Sequence, residues 1–561
     1  MTNSVFLLLA ALMVFAFGYR FFAKFLALWV FRLGSNYTTP SPDSGRHLVP
    51  DRHRLFGQRT ASLGAATAIA GTLLALIWGW IPAFLWVVVG TAIGAGTYGV
   101  GSLWLATRSQ DDVPVQPART LVGKRARAPI VALLVALSLL INWVMALIVA
   151  DVLIAFPASA IPFWLLAALT LAPGLFSQLD NPSRFLPATG VVLIVMLLTL
   201  WLLRAIPLHF VGFVQLQTSA GSALTLDAQV LWVVAAFAFA WYVARRPIET
   251  HALSYSLTSA AFLSITLFTV FAAVIIEHPV LAVPAFHTPK DAPSALPLLF
   301  ITLTSGAVSG WHFLAAGSFG GNRLARDIDA RYIGYGGALV EGLIALSAIL
   351  IGGTAAGGQA ARLHVFDTWD GAQHLALLLR IYIDGFASLA NAIGVNMAFA
   401  QSVAALTIMS LAMTTIIGGI RVQFRILDQL SANLRVKWLN PPRMLAVTVA
   451  STALLAAQAS RIGAMWYWPL FGLTNQLVAA TVLGLITLLL LRLRQPLMIV
   501  LIPLLFLAIV VSWALILQLG TWWSGGNWAL FATGLVLAGL AAWALVEVIL
   551  ALRQPVTSGT D

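Results

Sequence analysis

Long apolar runs limit this chain to a fold that lies in a membrane. A helix needs about 20 mostly apolar residues to cross the hydrocarbon core, and about fifteen such runs follow one another along the sequence. Only 9% of the 561 residues are charged, whereas a soluble domain carries about 25%. A soluble fold could not bury this much apolar surface, so the sequence predicts an all-α, polytopic bundle of transmembrane helices.

The predicted spans follow these apolar runs. They are 4–20, 61–80, 83–107, 129–150, 158–176, 187–207, 228–245, 256–276, 296–318, 332–355, 395–420, 444–460, 466–491, 496–517 and 527–551. The segment 356–394 fits the pattern least well, and we interpret its run HLALLLRIYIDGF as an amphipathic or re-entrant outer segment. Within that run Arg380 and Asp384 stand four residues apart, so we expect them to pair on one helix face.

The basic residues orient the predicted helices. If the N-terminus lies outside and the spans alternate, about 26 of the 31 basic residues fall on the cytoplasmic side. An odd number of spans then places the C-terminus in the cytoplasm. The charges of the first span, Arg20 and Lys24, follow its apolar run, which predicts a retained helix rather than a cleaved signal peptide. In this arrangement Arg59 belongs to the cytoplasmic loop 34–60.

Missing motifs exclude several kinds of chemistry. The chain has no cysteine, which excludes disulfides, thiolate metal sites and cysteine nucleophiles. It contains no P-loop, H-E-x-x-H or G-x-S-x-G motif, and its nine histidines do not cluster at metal-ligand spacing. We therefore expect no metal and no cofactor. Short basic loops that anchor helices account for the net charge of +12, so the expected partner is the lipid bilayer and not nucleic acid.

The first polar segment inside an apolar run is SGAVSGWHF, residues 305–313. The polar side chains that would share one face of a continuous helix are Ser305, Ser309 and His312. Gly306 and Gly310 form a G-x-x-x-G stripe beside them, which is typical of close helix packing. Two interpretations stay open. The face is either a polar wall along a substrate path, where an imidazole such as His312 changes charge near physiological pH, or a hydrogen-bonded helix contact.

The second polar position is Glu341, in the run RYIGYGGALVEGLIAL. Ten residues separate it from Arg331 at the predicted membrane edge, which places it about 15 Å into the bilayer. An ionisable group at that depth costs roughly 2.5–3.5 kcal/mol on insertion scales. The carboxyl group is either a structural hydrogen-bonding group, or a coupling site for protons or cations, or a partner for a substrate ammonium.

The third polar segment is WPLFGLTNQLVAA, residues 468–480. Pro469 and Gly472 can break or loosen a helix, and three polar residues follow them directly: Thr474, Asn475 and Gln476. A broken helix exposes backbone groups that can bind ions or the ends of a substrate. A polar kink whose groups are satisfied by neighbouring helices is the alternative interpretation.

Two of these segments also resemble a known family. The run GAVSGWH, continuing to DARYIGYGG, closely resembles the signature of the carbon starvation protein A family, and so does WPLFGLTNQLVAA. Weaker similarities are YRFFAKFLA at 19–27, LVPDRHRLFG at 48–57 and RRPIETHAL at 245–253. Together they extend from the N-terminal helix to about residue 495. The positions that match the family motifs are Ser309, His312, Asp329, Arg331, Tyr332, Tyr335, Asn475 and Gln476.

The resemblance implies a many-helix transporter of the inner membrane. Family members are linked to peptide uptake during carbon starvation, and some import pyruvate together with protons. The family is distantly similar to amino-acid transporters that are built from inverted five-helix repeats, so such a repeat is expected in the core.

The chain departs from the family at several polar positions. After LFG the family has paired histidines, whereas this sequence continues QRTASLG. An acidic residue of the family is replaced by Ile417, while Arg421 is retained.

These observations predict a secondary transporter in residues 1–495, with two additional helices and a short cytoplasmic tail in 496–561. The expected substrate is a peptide or a small organic carboxylate, coupled to protons or sodium. Expected on the substrate or ion path are Ser305, Ser309, His312, Tyr335, Glu341, Thr474, Asn475 and Gln476. Expected in structural or gating roles are Gly306, Gly310, Asp329, Arg331, Arg421, Pro469 and Gly472.

Two alternatives belong to other classes of protein. The first is a sensor or scaffold that does not transport, which the loss of the family's acidic residue favours. The second is a membrane-embedded transferase, for which the acids of DTWD, residues 367–370, are the best candidates. The sequence does not determine the oligomeric state.

Overall fold

The protein is described by a computed structural model. The described residues are 3–34, 52–108, 121–123, 125–171, 182–204, 213–217, 223–246, 253–289, 292–319, 324, 326–354, 365–434, 441–462 and 467–552. Some residues within these ranges are described by their backbone alone.

Helices make up nearly all of the described structure. In chain order they are α1 Ser4–Val30, α2 Arg52–Ser62, α3 Ala65–Trp78, α4 Trp80–Arg108, α5 Arg127–Ala155, α6 Pro157–Leu171, α7 Pro182–Leu203, α8 Ala228–Ala244, α9 Leu253–Glu277, α10 Ala295–Ala307, α11 Gly310–Phe319, α12 Arg331–Gly353, α13 Trp369–Ala372, α14 Leu375–Ala392, α15 Met397–Leu434, α16 Pro441–Ile462, α17 Trp468–Arg492, α18 Met498–Ser524 and α19 Trp528–Leu552. One antiparallel hairpin, β1 Phe213–Gln217 and β2 Ala223–Asp227, precedes α8. The predicted all-α membrane fold is confirmed, with this hairpin as an addition.

The number of spans differs from the predicted count. Among the described residues ten helices are long and apolar enough to cross a membrane, or up to eleven if the bent pair α2 and α3 is one span. Three of the predicted spans coincide with shorter apolar helices, at Pro157–Leu171, Thr189–Leu203 and Ala228–Ala244. The count of about fifteen is therefore not confirmed.

The segment that fitted the apolar pattern least well contains a long helix. Helix α14 passes the length and composition test for a membrane span. Its apolar side faces the bundle, and its Arg380 Nε lies 3.4 Å from Asp384 Oδ2, so the pairing predicted from their spacing is confirmed. Asp384 also accepts a hydrogen bond from Gln401 at 2.9 Å, which ties α14 to α15.

The ends of the helices collect at two opposite faces of the bundle. At one face the Ser4 amide donates to the Pro279 carbonyl, and the Trp80 amide donates to the Pro284 carbonyl. The Ala282 amide donates to the Gly353 carbonyl at the same face. Helix α1 therefore begins where α3, α9 and α12 end, as an alternating topology requires.

The opposite face collects the other ends of these helices. There the Ile328 amide donates to the Gly34 carbonyl, and Arg108 lies 3.7 Å from Asp327. The His53 and Tyr332 side chains are 3.2 Å apart. The alternation of α1, α2–α3, α4 and α12 agrees with the predicted order. The outside position of the N-terminus stays a prediction.

Arg421 illustrates how a buried charge is accommodated between helices. It lies on α15 and is 6% exposed. Its Nη2 atom donates to the carbonyls of Val243, at 3.1 Å, and Arg246, at 2.7 Å. These carbonyls are at the C-terminal end of α8, where the helix leaves its last acceptors unpaired and carries partial negative charge. The retained arginine therefore caps α8 from a neighbouring helix.

Replacing Arg421 should destabilise the fold. Arg421→Gln removes a charged donor from one buried and one partly buried carbonyl, and we expect the free energy of unfolding to fall by about 1.5–3 kcal/mol. Urea denaturation of the purified protein in detergent measures this change. Arg380→Gln is the matched control, because Arg380 is 65% exposed and a surface ion pair contributes about 0–1 kcal/mol. An equal loss in both variants would contradict the capping role.

Candidate functional site

Two helices are interrupted near the centre of the bundle. Helix α2 ends at Ser62, and α3 begins at Ala65 after Gly64, whose φ of +81° lies in the left-handed region. The two helices are bent by 46° at this point. Helix α10 ends at Ala307 and α11 begins at Gly310, with Val308 in extended conformation between them. Both interruptions leave helix-terminal backbone groups inside the bundle.

The two interruptions are in direct contact. The Trp311 indole Nε1, in the first turn of α11, donates to the Ser62 carbonyl at the end of α2 at 2.7 Å. A Cβ on Gly64 would lie 3.5 Å from the Trp311 ring. Because Trp311 is fully buried, this bond fixes one broken helix against the other.

The structure places the break in the run 296–318 and not in the run where the sequence allowed one. The run 296–318 was predicted as one continuous helix, but it is divided at Val308 and Ser309, so Ser305 and His312 belong to different helices and do not share one helical face. The side chain of Ser305 and the surroundings of Gly306 lie outside the described residues.

The run in which Pro469 and Gly472 allowed a break, by contrast, is continuous. Helix α17 extends from Trp468 to Arg492. Pro469 lies in its first turn, where a missing amide donor costs nothing because that group has no partner within the helix.

Asn475 and Gln476 of the continuous helix bind the backbone of the interrupted one. Asn475 Oδ1 accepts from the Ser309 hydroxyl and from the Trp311 amide, each at 3.1 Å. Gln476 Nε2 donates to the Val308 carbonyl at 2.9 Å. One amide side chain thus caps the start of α11, while the next satisfies a carbonyl beyond the end of α10.

Two glycines allow α17 to approach the interrupted helix this closely. A Cβ on Gly472 would lie 2.6 Å from the Ile301 carbonyl oxygen, and one on Gly310 would lie 2.6 Å from the Asn475 carbonyl oxygen. Any larger residue would separate the helices and lengthen the bonds made by Asn475. This geometry fits the packing role predicted for Gly310, whereas Gly472, which was expected to loosen its helix, lies in a continuous one. Thr474 differs, because its hydroxyl donates to the Leu470 carbonyl of its own helix at 2.7 Å.

His312 and Glu341 meet beside the interruption of α10 and α11. The His312 Nε2 atom lies 2.7 Å from Glu341 Oε2, and the two side chains are 1% and 0% exposed. The distance between these two atoms is that of an ion pair, but the angles at the atoms are poor for a hydrogen bond. Sequence reasoning selected both residues separately, and the fold brings them together from α11 and α12.

Arg59 and Tyr98 are the members of this site that sequence reasoning missed. Arg59 was assigned to a cytoplasmic loop, but it lies on α2 and is 4% exposed. It interacts electrostatically with Glu341 and with Tyr98. The Tyr98 ring centroid lies 6.4 Å from that of His312. The sequence signal for Arg59 was the departure from the family motif after LFG, where QRT introduces a charge immediately before an apolar run.

Several buried polar atoms of this region have unused hydrogen-bonding capacity. Within the described part of the chain, the atoms without a hydrogen-bond partner include Arg59 Nε, Tyr98 Oη, Glu341 Oε1, Asn475 Nδ2 and Gln476 Oε1. A folded protein rarely leaves buried polar groups unpaired, and an exception points to water, an ion or a ligand. Their concentration around the two interruptions makes this region the candidate binding site.

The other predicted residues of this region lie in the first turns of α12 or just before it. The Tyr335 hydroxyl donates to the Ala92 carbonyl at 2.6 Å. The Tyr335 side chain packs directly against Gly18 and Gly96. Arg331 donates to the Tyr19 carbonyl at 2.8 Å. A further contact joins Asp329 and Arg326 at 3.1 Å. These contacts hold helix ends together, and none of them involves the His312–Glu341 pair.

The described residues contain no cluster of three or more histidine, aspartate or glutamate side chains that could hold a metal ion. The acids of DTWD are exposed. Thr368 Oγ1 accepts from the Gly371 amide at 3.1 Å, so this motif begins the single-turn helix α13.

Comparison with known proteins gives one family and several relatives. The family model described as "Carbon starvation protein CstA" matches residues 3–368 and 371–514. A peptide transporter CstA of Campylobacter jejuni is 24% identical over 359 residues, 62% of this chain and 50% of the relative. One from Mycobacterium tuberculosis H37Rv is 27% identical over 365 residues, 62% of this chain and 46% of the relative.

A third relative has a different printed name, the pyruvate/proton symporter BtsT of Escherichia coli K12. It is 25% identical over 361 residues, 62% of this chain and 49% of the relative. The chain thus matches about half of the length of these curated relatives.

Comparison with solved structures gives two further matches. MhsT in complex with L-phenylalanine has a TM-score of 0.46 at 14% identity, covering 83% of this chain and 100% of that one. A manganese transporter of Eremococcus coleocola has a TM-score of 0.44 at 14% identity, covering 92% of this chain and 99% of that one.

The contacts of α17 predict different roles for neighbouring polar residues. Asn475→Leu leaves the Trp311 amide and the Ser309 hydroxyl without their acceptor, so we expect the free energy of unfolding to fall by about 2–4 kcal/mol. Thr474→Val is the matched control and should change it by less than about 1 kcal/mol, because the hydroxyl is bonded only within its own helix. Urea denaturation in detergent tests both. A Thr474 variant as unstable as the Asn475 variant would refute this division.

Proposed function

The chain belongs to the carbon starvation protein CstA family, and we propose that it is a secondary active transporter that imports peptides or small organic carboxylates across the cytoplasmic membrane. Its relatives carry the names of peptide transporters and of a pyruvate/proton symporter. The chain is a membrane protein with many apolar helices. Substrate and coupling ion are the parts of the proposal that experiments must decide.

One observation carries the proposal: two interrupted helices meet at a buried cluster of polar groups that are not fully paired. Transporters bind substrates and ions where discontinuous helices expose backbone groups near the middle of the membrane. Here the interruption between α10 and α11 is joined to that between α2 and α3 through Trp311. Substrate would bind beside this junction, where Asn475 and Gln476 have unused polar atoms.

Within this site we assign proton coupling to His312 and Glu341. An imidazole and a carboxylate 2.7 Å apart can hold one or two protons between them, and each proton changes the net charge of the site. Ionisable residues inside membrane helices typically mark such pathways. The pair favours protons over sodium, because an imidazole exchanges protons readily and is a poor ligand for a hard cation.

The remaining predicted pathway residues have weaker support. The hydroxyls of Thr474 and Tyr335 donate to backbone carbonyls, which favours structural roles for them. Ser309 supports the interruption through Asn475, so we expect it to shape the site rather than carry protons.

The alternatives receive less support. Ile417 replaces an acid and is buried, which fits a changed coupling site as well as a sensor. The acids of DTWD are exposed beside a helix start, so they do not form a catalytic pair within the bundle.

Glu341→Gln tests the coupling assignment. We expect uptake of radiolabelled pyruvate or dipeptide into proteoliposomes to lose its dependence on an inward proton gradient, because the amide cannot exchange a proton with His312. The wild-type protein should accumulate substrate when the outside is acidic, whereas the variant should at most equilibrate it.

Glu547→Gln is the matched control for this experiment. Glu547 lies on the membrane helix α19, where it accepts a hydrogen bond from Trp543 at 3.2 Å, away from the candidate site. This variant should keep gradient-driven accumulation. If the Glu341 variant also keeps it with an unchanged pH profile, Glu341 is not the coupling group.

A further inference from the structure

Arg59 carries a permanent charge into the interior of the bundle. Its side chain is 4% exposed, and a guanidinium stays protonated at any physiological pH. A buried charge is expensive unless other groups compensate it, and in membrane helices it usually faces a cavity or a partner. The contacts of Arg59 therefore indicate its role.

The position of Arg59 places it over the turn of α12 that leads to Glu341. A Cβ on Gly337 would lie 3.7 Å from Arg59 Nε, and Glu341 is one helical turn further along the same helix. Electrostatic interactions connect Arg59 with Glu341 and Tyr98. The interruption of α2 lies only three residues away, where the Ser62 hydroxyl donates to the Arg59 carbonyl at 2.9 Å.

The guanidinium has hydrogen-bonding capacity that the described residues do not use. Its Nε has no partner among them. Glu341 is in contact with His312 instead, and no ion pair within 4.0 Å joins Arg59 to Glu341 in the described structure. The buried Arg421 behaves differently, because it donates to two helix-terminal carbonyls.

The charges of the site favour an anion as the missing partner. With Glu341 ionised and His312 neutral, the positive charge of Arg59 brings the net charge of these three side chains to zero. A proton on His312 raises this net charge to +1, and a monoanion bound beside Arg59 returns it to zero. In a medium of low dielectric constant, a balanced set of charges is strongly favoured over an unbalanced one.

We propose that Arg59 binds the carboxylate group of the transported substrate, so that a free carboxylate is required for recognition. This inference rests on the transport function proposed above, and it assigns a substrate-binding residue within the same site. The planar guanidinium can bind a carboxylate through two parallel hydrogen bonds, which a lysine ammonium cannot reproduce. The carboxylate is common to pyruvate and to the C-terminus of a peptide.

Pairs of acids and amides of nearly equal size test the requirement. The probes are pyruvate with pyruvamide, and alanyl-alanine with its C-terminal amide. Binding to the purified full-length protein is measured by isothermal titration calorimetry, and uptake is measured in proteoliposomes. The wild-type protein should prefer at least one acid to its amide by about 10- to 100-fold, the usual range for a hydrogen-bonded charged group.

Variants of Arg59 separate charge from geometry. Arg59→Gln should abolish the preference for the acid. Arg59→Lys should keep the preference but bind the acid more weakly, since the charge remains and the paired hydrogen bonds are lost. Arg421→Gln is the matched control, because it removes a buried arginine that caps a helix. It should lower thermal stability while leaving the ratio of acid to amide affinity unchanged.

The outcomes distinguish this inference from the transport function. Equal affinity of the wild-type protein for acids and amides, no binding of either acid, or an acid preference that survives in a folded Arg59→Gln variant would each overturn the role of Arg59. Accumulation of substrate in those cases would leave the transport proposal intact. Conversely, an acid preference that depends on Arg59 without any accumulation by the wild-type protein would support the carboxylate site and contradict transport.

Discussion

The hydrogen bonds from α17 to the interruption between α10 and α11 are the interaction on which the candidate site depends. Backbone groups released from a helix within a membrane have no water to replace their lost partners, so a neighbouring helix must supply them. Asn475 and Gln476 do so with adjacent side chains, which contact the two sides of the interruption. Without these amides, the Ser309 hydroxyl, the Trp311 amide and the Val308 carbonyl would lose these partners.

The helices were predictable because a bilayer leaves few alternatives to them. Length and hydropathy were enough to predict the run 466–491, which is observed as Trp468–Arg492. Side-chain periodicity also predicted the contact of Arg380 with Asp384, since both residues lie on one helix and their spacing determines their distance. Features of this kind depend on local sequence.

The interruption and the third charge of the site were not predictable from local sequence. Pro469 suggested a break, but a proline in the first turn of a helix is compatible with it. The real break at Val308 contains no proline and depends on amides more than 160 residues away in the chain. Arg59 was predicted in a loop because charge followed by an apolar run is typical of a membrane boundary. Its burial results from tertiary neighbours on α4 and α12.

The placement of the three charges links the occupancy of the site to its shape. Arg59, His312 and Glu341 lie on α2, α11 and α12, and the first two of these helices end or begin at an interruption. The Trp311 indole connects the interruptions directly, next in the chain to His312. A proton on His312 adds a second positive charge near Arg59, and a bound carboxylate offsets it. Proton and anion should therefore each raise the affinity for the other, and this reciprocity follows from linkage alone. The interruptions are the points in α2–α3 and α10–α11 where the helical hydrogen bonding is broken, so such a change of charge can alter the angle between the helices there.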